Sequence, residues 1–307
     1  MMKLRVAFLG NHTVGLTALR ALSEVADVVA VVAHPEDPED GVRYDSVYAW
    51  AHETGLRIVR GRGNDTQVAS LLEEVRPDLL WVTDYRYLLP ASVLRIAPRG
   101  AVNLHPSLLP KYRGRAPLNW AILRGETEVG LSAHVIDEGM DSGDLLAQVQ
   151  IPVHADDDIG TVLEKLLPHY DALPRRILAD MTAGTLVRTP QNHDDSTEFR
   201  RRTPDDGRLN WEQSAIELHN LVRAVTAPYP GAFAYRDAER IMVWRTALTE
   251  VVPPAGTEPG TVFALQGGEP LVACGSISQP QALVLLHCTA PDGQIIQGTW
   301  QLGEVLR

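Results

Sequence analysis

The residues with the clearest capacity for chemistry sit where an apolar run gives way to a polar loop. Asn103-Leu104-His105-Pro106-Ser107 continues through LLPKYRGRAPLNW to Trp120. Asn103 and His105 are two apart, so on an extended backbone both side chains point the same way. That sets an amide donor beside a titratable imidazole. A second loop, Asp137-Glu138-Gly139-Met140-Asp141-Ser142-Gly143-Asp144, follows another apolar run and supplies carboxylates. A carboxylate next to an imidazole favours the protonated ring and fixes its orientation. Amide, imidazole and carboxylate together can donate hydrogen bonds to a developing negative charge and move a proton.

Such groups must be held by elements around them. The first half of the chain alternates short apolar runs with helical patterns, which predicts an α/β, Rossmann-like parallel sheet. Strands are expected at Leu4–Leu9, Val28–Ala33, Arg57–Val59, Leu79–Thr83 and one ending at Val102–Leu104. Helices are expected through Leu16–Arg20, around Ser46–His52, around Val68–Val75, and over Thr161–Leu178 with proline interruptions. Polar residues at the C-terminal end of a parallel strand lie where open α/β sheets bind ligands. The turn after the first strand, GNHTVG, lacks the dinucleotide glycine spacing, so a nicotinamide-binding unit is unsupported.

The polar stretch TPQNHDDSTEFRRRTP has no periodicity and reads as a linker. Its basic run Arg200–Arg202 reads as a solvated face, with contact to the substrate where the two domains meet as the alternative. Beyond it, Glu212–Val225 has apolar residues Ile216, Leu218, Leu221, Val222 and Val225 at helical spacing. Short strands separated by Gly and Pro follow, the pattern of a small OB-like β-barrel. The expected domains are a catalytic domain over 1–189, a linker over 190–204 and the OB-like domain over 205–307.

With 307 residues, 45% apolar and 22% charged, the chain has the composition of a globular protein. No apolar run reaches the length of a membrane span. The N-terminal MMKLRVAFLG is too short an apolar run for a secretory signal and reads as a strand. Two cysteines without ligand spacing, Cys274 and Cys288, fit free thiols in a reducing cytoplasm. The net charge of −11 weighs against a nucleic-acid partner, whose phosphates call for a basic face.

The blocks NLHPSLLPKYRGRAPLNW and GMDSGDLL, in that order, resemble the folate-dependent formyltransferase family. That family includes glycinamide ribonucleotide transformylases, methionyl-tRNA formyltransferases and sugar N-formyltransferases. The segments RRTPDDGRLNW and LHNLVRAVTAPYPGAF resemble the start of the C-terminal domain of its methionyl-tRNA and aminoarabinose members. The resemblance implies a catalytic triad of Asn103, His105 and Asp141, and 10-formyltetrahydrofolate as the formyl donor, with no metal. It places the folate against Tyr85, Arg86, Tyr87 and Leu88, together with Asp137 and Gly139. Ser107, Lys111, Arg113 and Arg115 become candidates for the acceptor, since arginine pairs bidentately with phosphate. Asn103 and protonated His105 would stabilise the oxyanion of acyl transfer while Asp141 assists the proton. His134, on the run before the Asp141 loop, reads as a packed strand residue.

The implied acceptor is a primary amine of a small molecule, with a nucleotide-linked amino sugar such as UDP-4-amino-4-deoxy-L-arabinose foremost. Methionyl-tRNA, a hydroxyornithine and other secondary-metabolite amines are the alternatives. Against tRNA stands HPEDPEDGVRYDS, which carries five carboxylates by Asp45 where tRNA-acting members have a basic insertion. This chain keeps DEGMDSGD where the aminoarabinose enzymes differ, so the reaction is better marked than the sugar. An apolar face on the C-terminal domain could serve a homodimer.

Overall fold

The computed structural model describes residues 3–35, 45–296 and 298–307. Two compact units account for them. The first comprises residues 1–117, 128–152 and 163–199; the second comprises 118–127, 153–162 and 200–307.

The first unit begins β1 (Arg5–Gly10), α1 (His12–Val25), β2 (Asp27–Ala33), α2 (Val47–Glu53) and β3 (Ile58–Arg60). It continues α3 (Thr66–Val75), β4 (Leu79–Thr83), α4 (Ala91–Leu94) and β5 (Ala101–His105). Then follow β6 (Arg113–Gly114), α5 (Pro117–Leu123), β7 (Glu128–Val135), β8 (Leu145–Pro152), α6 (Ile159–Ala183) and β9 (Glu198–Phe199), of which α5 after Pro117 and the first turn of α6 fall in the second unit. The main sheet runs β3-β2-β1-β4-β5-β7-β8. Its first five strands are mutually parallel, as the sequence pattern predicts. Their side chains are apolar on both faces because both faces are covered: Phe8, Leu9, Leu79, Leu80 and Trp81 are fully buried.

The last two strands depart from an all-parallel sheet. β7 pairs antiparallel with β5, and β8 antiparallel with β7. The consequence for function is the register: Asn103 lies opposite His134, and His105 opposite Ser132. The β7–β8 connection is the loop that carries Asp141.

α6 runs without a break through Pro168 and Pro174. A proline inside a helix removes one hydrogen bond and strains the turn before it. Here the helix persists because Ile159, Val162, Leu166, Tyr170, Leu173 and Ile177 form one buried stripe across both prolines.

The second unit holds α7 (Ala215–Val225) and β10 (Ala232–Arg236), β11 (Glu239–Leu248), β12 (Val262–Gln266), β13 (Glu269–Ser276) and β14 (Gln279–Thr289). α7 starts at a capping box in which Ser214 accepts the Glu217 amide and Glu217 accepts the Ser214 amide. Ile216, expected on its buried stripe, is instead exposed. The antiparallel sheet runs β10-β11-β14-β13-β12. C-terminal residues bridge both margins of the sheet, Leu306 to Arg236 and Val305 to Thr261, so the edges are closed as in an OB-like barrel. Cys274 and Cys288 are buried and free; their strand partners are Gln281 and Val243, not each other. Among the described residues no helix is long and apolar enough to cross a membrane.

Candidate active site

β5 delivers the first two groups. Val102 and Leu104 point into the core with about 2% exposure, which turns the alternate residues Asn103 and His105 to the opposite face. His105 is itself buried. Its Nε2 lies 2.8 Å from the Tyr112 carbonyl, which can only accept, so Nε2 carries a proton. Its Nδ1 faces Asp141 Oδ2 at 3.5 Å.

Asp141 arrives from the β7–β8 loop with a left-handed backbone, φ 49°. For a non-glycine residue that conformation costs about 1–2 kcal/mol, so the surroundings must enforce it. Two features of the loop do so locally. Asp137 accepts the Gly139 amide at 3.0 Å and the Ser142 hydroxyl at 2.8 Å. Gly143 lies so close to β7 that a Cβ there would sit 2.0 Å from the Val135 carbonyl oxygen. Asp141 Oδ2 accepts the Gly114 amide at 2.9 Å.

His134 completes the constellation. Its Nδ1 donates to the Val135 carbonyl at 2.8 Å, so in the neutral ring Nε2 is an acceptor. Asn103 Nδ2 lies 3.2 Å from that Nε2, and Asp141 Oδ1 lies 3.5 Å from it. One N–H of Asn103 is thereby anchored, and the amide plane is set for the other. The sequence reading placed His134 in the packing; the antiparallel β5–β7 register puts it in the site.

The electrostatics follow from burial. Desolvation pushes the His105 pKa below its ordinary value, against the opposing pull of Asp141 and the Tyr112 carbonyl. That direction favours the neutral ring, while the carboxylate beside it pulls toward the protonated ring expected from the motif. Burial acts to raise the Asp141 pKa, but His105, His134 and the Gly114 amide outweigh it and hold the carboxyl well below the usual range. The site is thus a buried carboxylate flanked by two imidazoles, with the Asn103 amide against the second of them.

The other expected residues fall into two groups. Around the loop after β4, Tyr85 hydroxyl donates to the Gly61 carbonyl at 2.7 Å, and burial raises its pKa. Tyr87 and His34 pack on it at ring separations of 5.6 and 5.3 Å. The Arg86 amide donates to His34 Nε2 at 3.0 Å, and Leu88 is exposed. This gives two tyrosine rings and an exposed leucine, an apolar and aromatic wall suited to a flat heteroaromatic ring. His34 carries no motif in the sequence because its ring is held between the Asn11 amide and a backbone amide 52 residues away. Asp137 and Gly139 shape the Asp141 loop: a Cβ on Gly139 would meet Ser142 Oγ at 2.0 Å.

In the loop after β5, Ser107 is buried and donates to the Lys111 carbonyl, while Lys111 is exposed. Arg113 is buried; its guanidinium donates to Gln191 at 2.7 Å and lies 3.0 Å from His193. Arg115 donates to the Arg86 carbonyl, tying this loop to the aromatic wall. In the second unit, Arg200 pairs with Asp206 and Arg202 lies over the Trp120 ring. Among the described residues no cluster of His, Cys, Asp and Glu could hold a metal ion.

Comparison with known families matches most of the chain. The profile described as Formyl transferase matches residues 4–177, and that of the Formyl transferase C-terminal domain matches 201–300. The chain belongs to the formyl transferase family. Solved structures share the fold of this formyltransferase. WlaRD, a sugar 3N-formyl transferase studied with dTDP and 5-N-formyl-THF, superposes with TM-score 0.70 at 17% identity, covering 98% of this chain and 100% of its own. An N-formyltransferase from Helicobacter canadensis, in complex with folinic acid and dTDP-3-aminofucose, gives TM-score 0.70 at 18% identity over 96% and 100%. A methionyl-tRNA formyltransferase from Clostridium thermocellum gives 0.56 at 16% over 81% and 94%.

Proposed function

We propose that this formyltransferase moves a formyl group from 10-formyltetrahydrofolate to the primary amine of a nucleotide-linked amino sugar. The observation that carries the reading is the convergence of Asn103, His105 and Asp141 around His134, whose Nε2 lies 3.2 Å from the Asn103 amide and 3.5 Å from the carboxylate. When bound, the folate supplies a formyl group activated on nitrogen. Asn103 keeps one N–H for the formyl oxygen as negative charge builds on it, a contribution of about 3 kcal/mol for a well-placed donor. Neutral His105 can take the proton shed by the attacking amine at Nδ1 and return it to the departing folate nitrogen as its bond to the formyl carbon breaks, with Asp141 stabilising the imidazolium in between. The donor's ring is assigned to Tyr85, Tyr87 and Leu88 on the aromatic character of that loop.

The sugar acceptor is favoured by the two sugar N-formyltransferase structures, which cover essentially the whole chain, whereas the tRNA-acting neighbour covers 81% of it. A net charge of −11 points the same way. The acidic loop that argued against tRNA falls mostly on residues 36–44, outside the described residues. Two buried, unpaired thiols suit a cytoplasmic setting.

The test is release of tetrahydrofolate against a panel of UDP-, dTDP- and GDP-linked amino sugars, hydroxyornithine and methionyl-tRNA. Formylation of an amino sugar in preference to the rest supports the reading. Preference for methionyl-tRNA would reverse the acceptor.

A further inference from the structure

We infer that residues 189–199, which lack any periodic pattern, form a brace that sets the positions of both His105 and Asp141, with Gln191 as its positioning residue. The proposal rests on the formyl-transfer reading for its activity readout.

The Asp141 side of the brace is a single amide. Gln191 is buried, and its Nε2 donates to the Asp141 carbonyl at 2.9 Å and the Gly143 carbonyl at 2.7 Å. Its Oε1 accepts from the buried Arg113 guanidinium at 2.7 Å. All the hydrogen-bonding capacity of its N–H₂ is thus spent on the backbone of the loop whose Asp141 has φ 49°. A left-handed aspartate persists only where its neighbours over-determine it. Gln191 grips the peptide on the C-terminal side of that residue, while the Gly114 amide grips its carboxylate.

The His105 side is a short ladder. Thr197 Oγ1 accepts the Tyr112 amide at 2.8 Å, and the Thr197 carbonyl accepts the Arg113 amide at 2.8 Å. Arg113 and Gly114 then pair with Glu198 and Phe199, and the Phe199 ring stacks on Tyr112 at 5.1 Å. Tyr112, also left-handed at φ 59°, is the residue whose carbonyl holds His105 Nε2. Between these two grips runs Arg113, itself fastened to Gln191 and His193. One segment of eleven residues therefore fixes the separation of the imidazole and the carboxylate on which proton transfer depends.

A hydrogen-bond-free side chain of similar length, Gln191→Met, should let the Asp141 peptide relax. The kcat should fall by about tenfold or more, because small displacements of a reacting group cost that much. The KM for the folate donor should stay within about twofold, since Tyr85, Tyr87 and Leu88 are untouched. A carboxylate set farther from His105 stabilises the imidazolium less, so the acid-side midpoint of kcat should move to lower pH. A residue that merely supported folding would lower the melting temperature without moving that midpoint. Gln191→Glu keeps an acceptor for Arg113 but lacks the two donors, and should show the same loss. Thr197→Val should reproduce the kcat effect from the other side. The assay runs alongside wild type and His105→Ala. If His105→Ala is inactive while Gln191→Met matches wild type in kcat and midpoint, the brace is refuted and the triad stands. If His105→Ala is active, the underlying reading falls and the brace with it. Loss of folded protein in both Gln191 variants would assign the residue to folding and overturn the proposal.

Discussion

Replacing Asp141 by asparagine removes one charge and almost no volume. In the native site its carboxylate faces His105 Nδ1 at 3.5 Å, with side-chain exposures of 15% and 6%. At that distance and an effective dielectric of about 20, a fully formed ion pair is worth about 5 kcal/mol. The neutral His105 that burial favours gains its charge only as the amine gives up a proton, so roughly half to nearly all of that is at stake near the transition state. At about 1.4 kcal/mol per factor of ten, kcat should fall by about 10² to 10³. The amide also has one wrong orientation: an Nδ2 in the place of Oδ2 would face the Gly114 amide, itself a donor. Stability should move the other way or hardly at all, because a buried charge is relieved. The assay is kcat from initial rates of tetrahydrofolate release, with the melting temperature recorded on the same samples. A loss of less than about tenfold would refute the role given to the carboxylate. So would a loss matched by unfolding.

Three further outcomes follow from the same geometry. His134→Leu should lower kcat by about fivefold with KM nearly unchanged, since it frees Asn103 from one hydrogen bond worth about 1 kcal/mol; steady-state kinetics would show it. The pKa of His105 is depressed, so the unfolded chain binds more protons than the folded one between the folded value and about 6.5, and stability falls as pH drops through that window. Asp141 adds to the loss at lower pH still, and the acid midpoint of kcat should lie below about 6.5 in a pH-rate profile. Gly143→Ala should cripple activity and lower the melting temperature, because its Cβ would sit 2.0 Å from the Val135 carbonyl oxygen.

The parts of this site that were legible in the sequence share a physical reason. Asn103 and His105 are spaced by two on a short apolar run, and strand periodicity alone puts them on one face. The apolar runs of β1, β2 and β4 carry so strong a pattern because they are buried on both sides. What stayed hidden depends on pairings between distant segments. His134 enters the site only because β7 lies antiparallel to β5, and a strand's partner and direction leave no mark in its own residues. Gln191 was invisible for a related reason: its partners are the backbone carbonyls of Asp141 and Gly143, 50 and 48 residues earlier, which have no residue identity to read. Arg113 looked like an anion ligand by type, and its location is decided by burial against Gln191 and His193. The downward pull on the His105 pKa is hidden in the sequence because a nearby carboxylate can be inferred from motifs, whereas desolvation requires knowing how deeply the ring sits.

The claim at the centre is that three converging side chains pass a formyl group from folate to an amine. A single-turnover reaction with 10-formyltetrahydrofolate carrying isotopic carbon in its formyl group, run with a dTDP- or UDP-linked amino sugar, tests it directly. Label should appear on the sugar amine with wild-type protein and vanish with Asn103→Ala and with His105→Ala, while both variants still bind folate. Label released as formate at the same rate with or without the amine, or transferred undiminished by either variant, would contradict it.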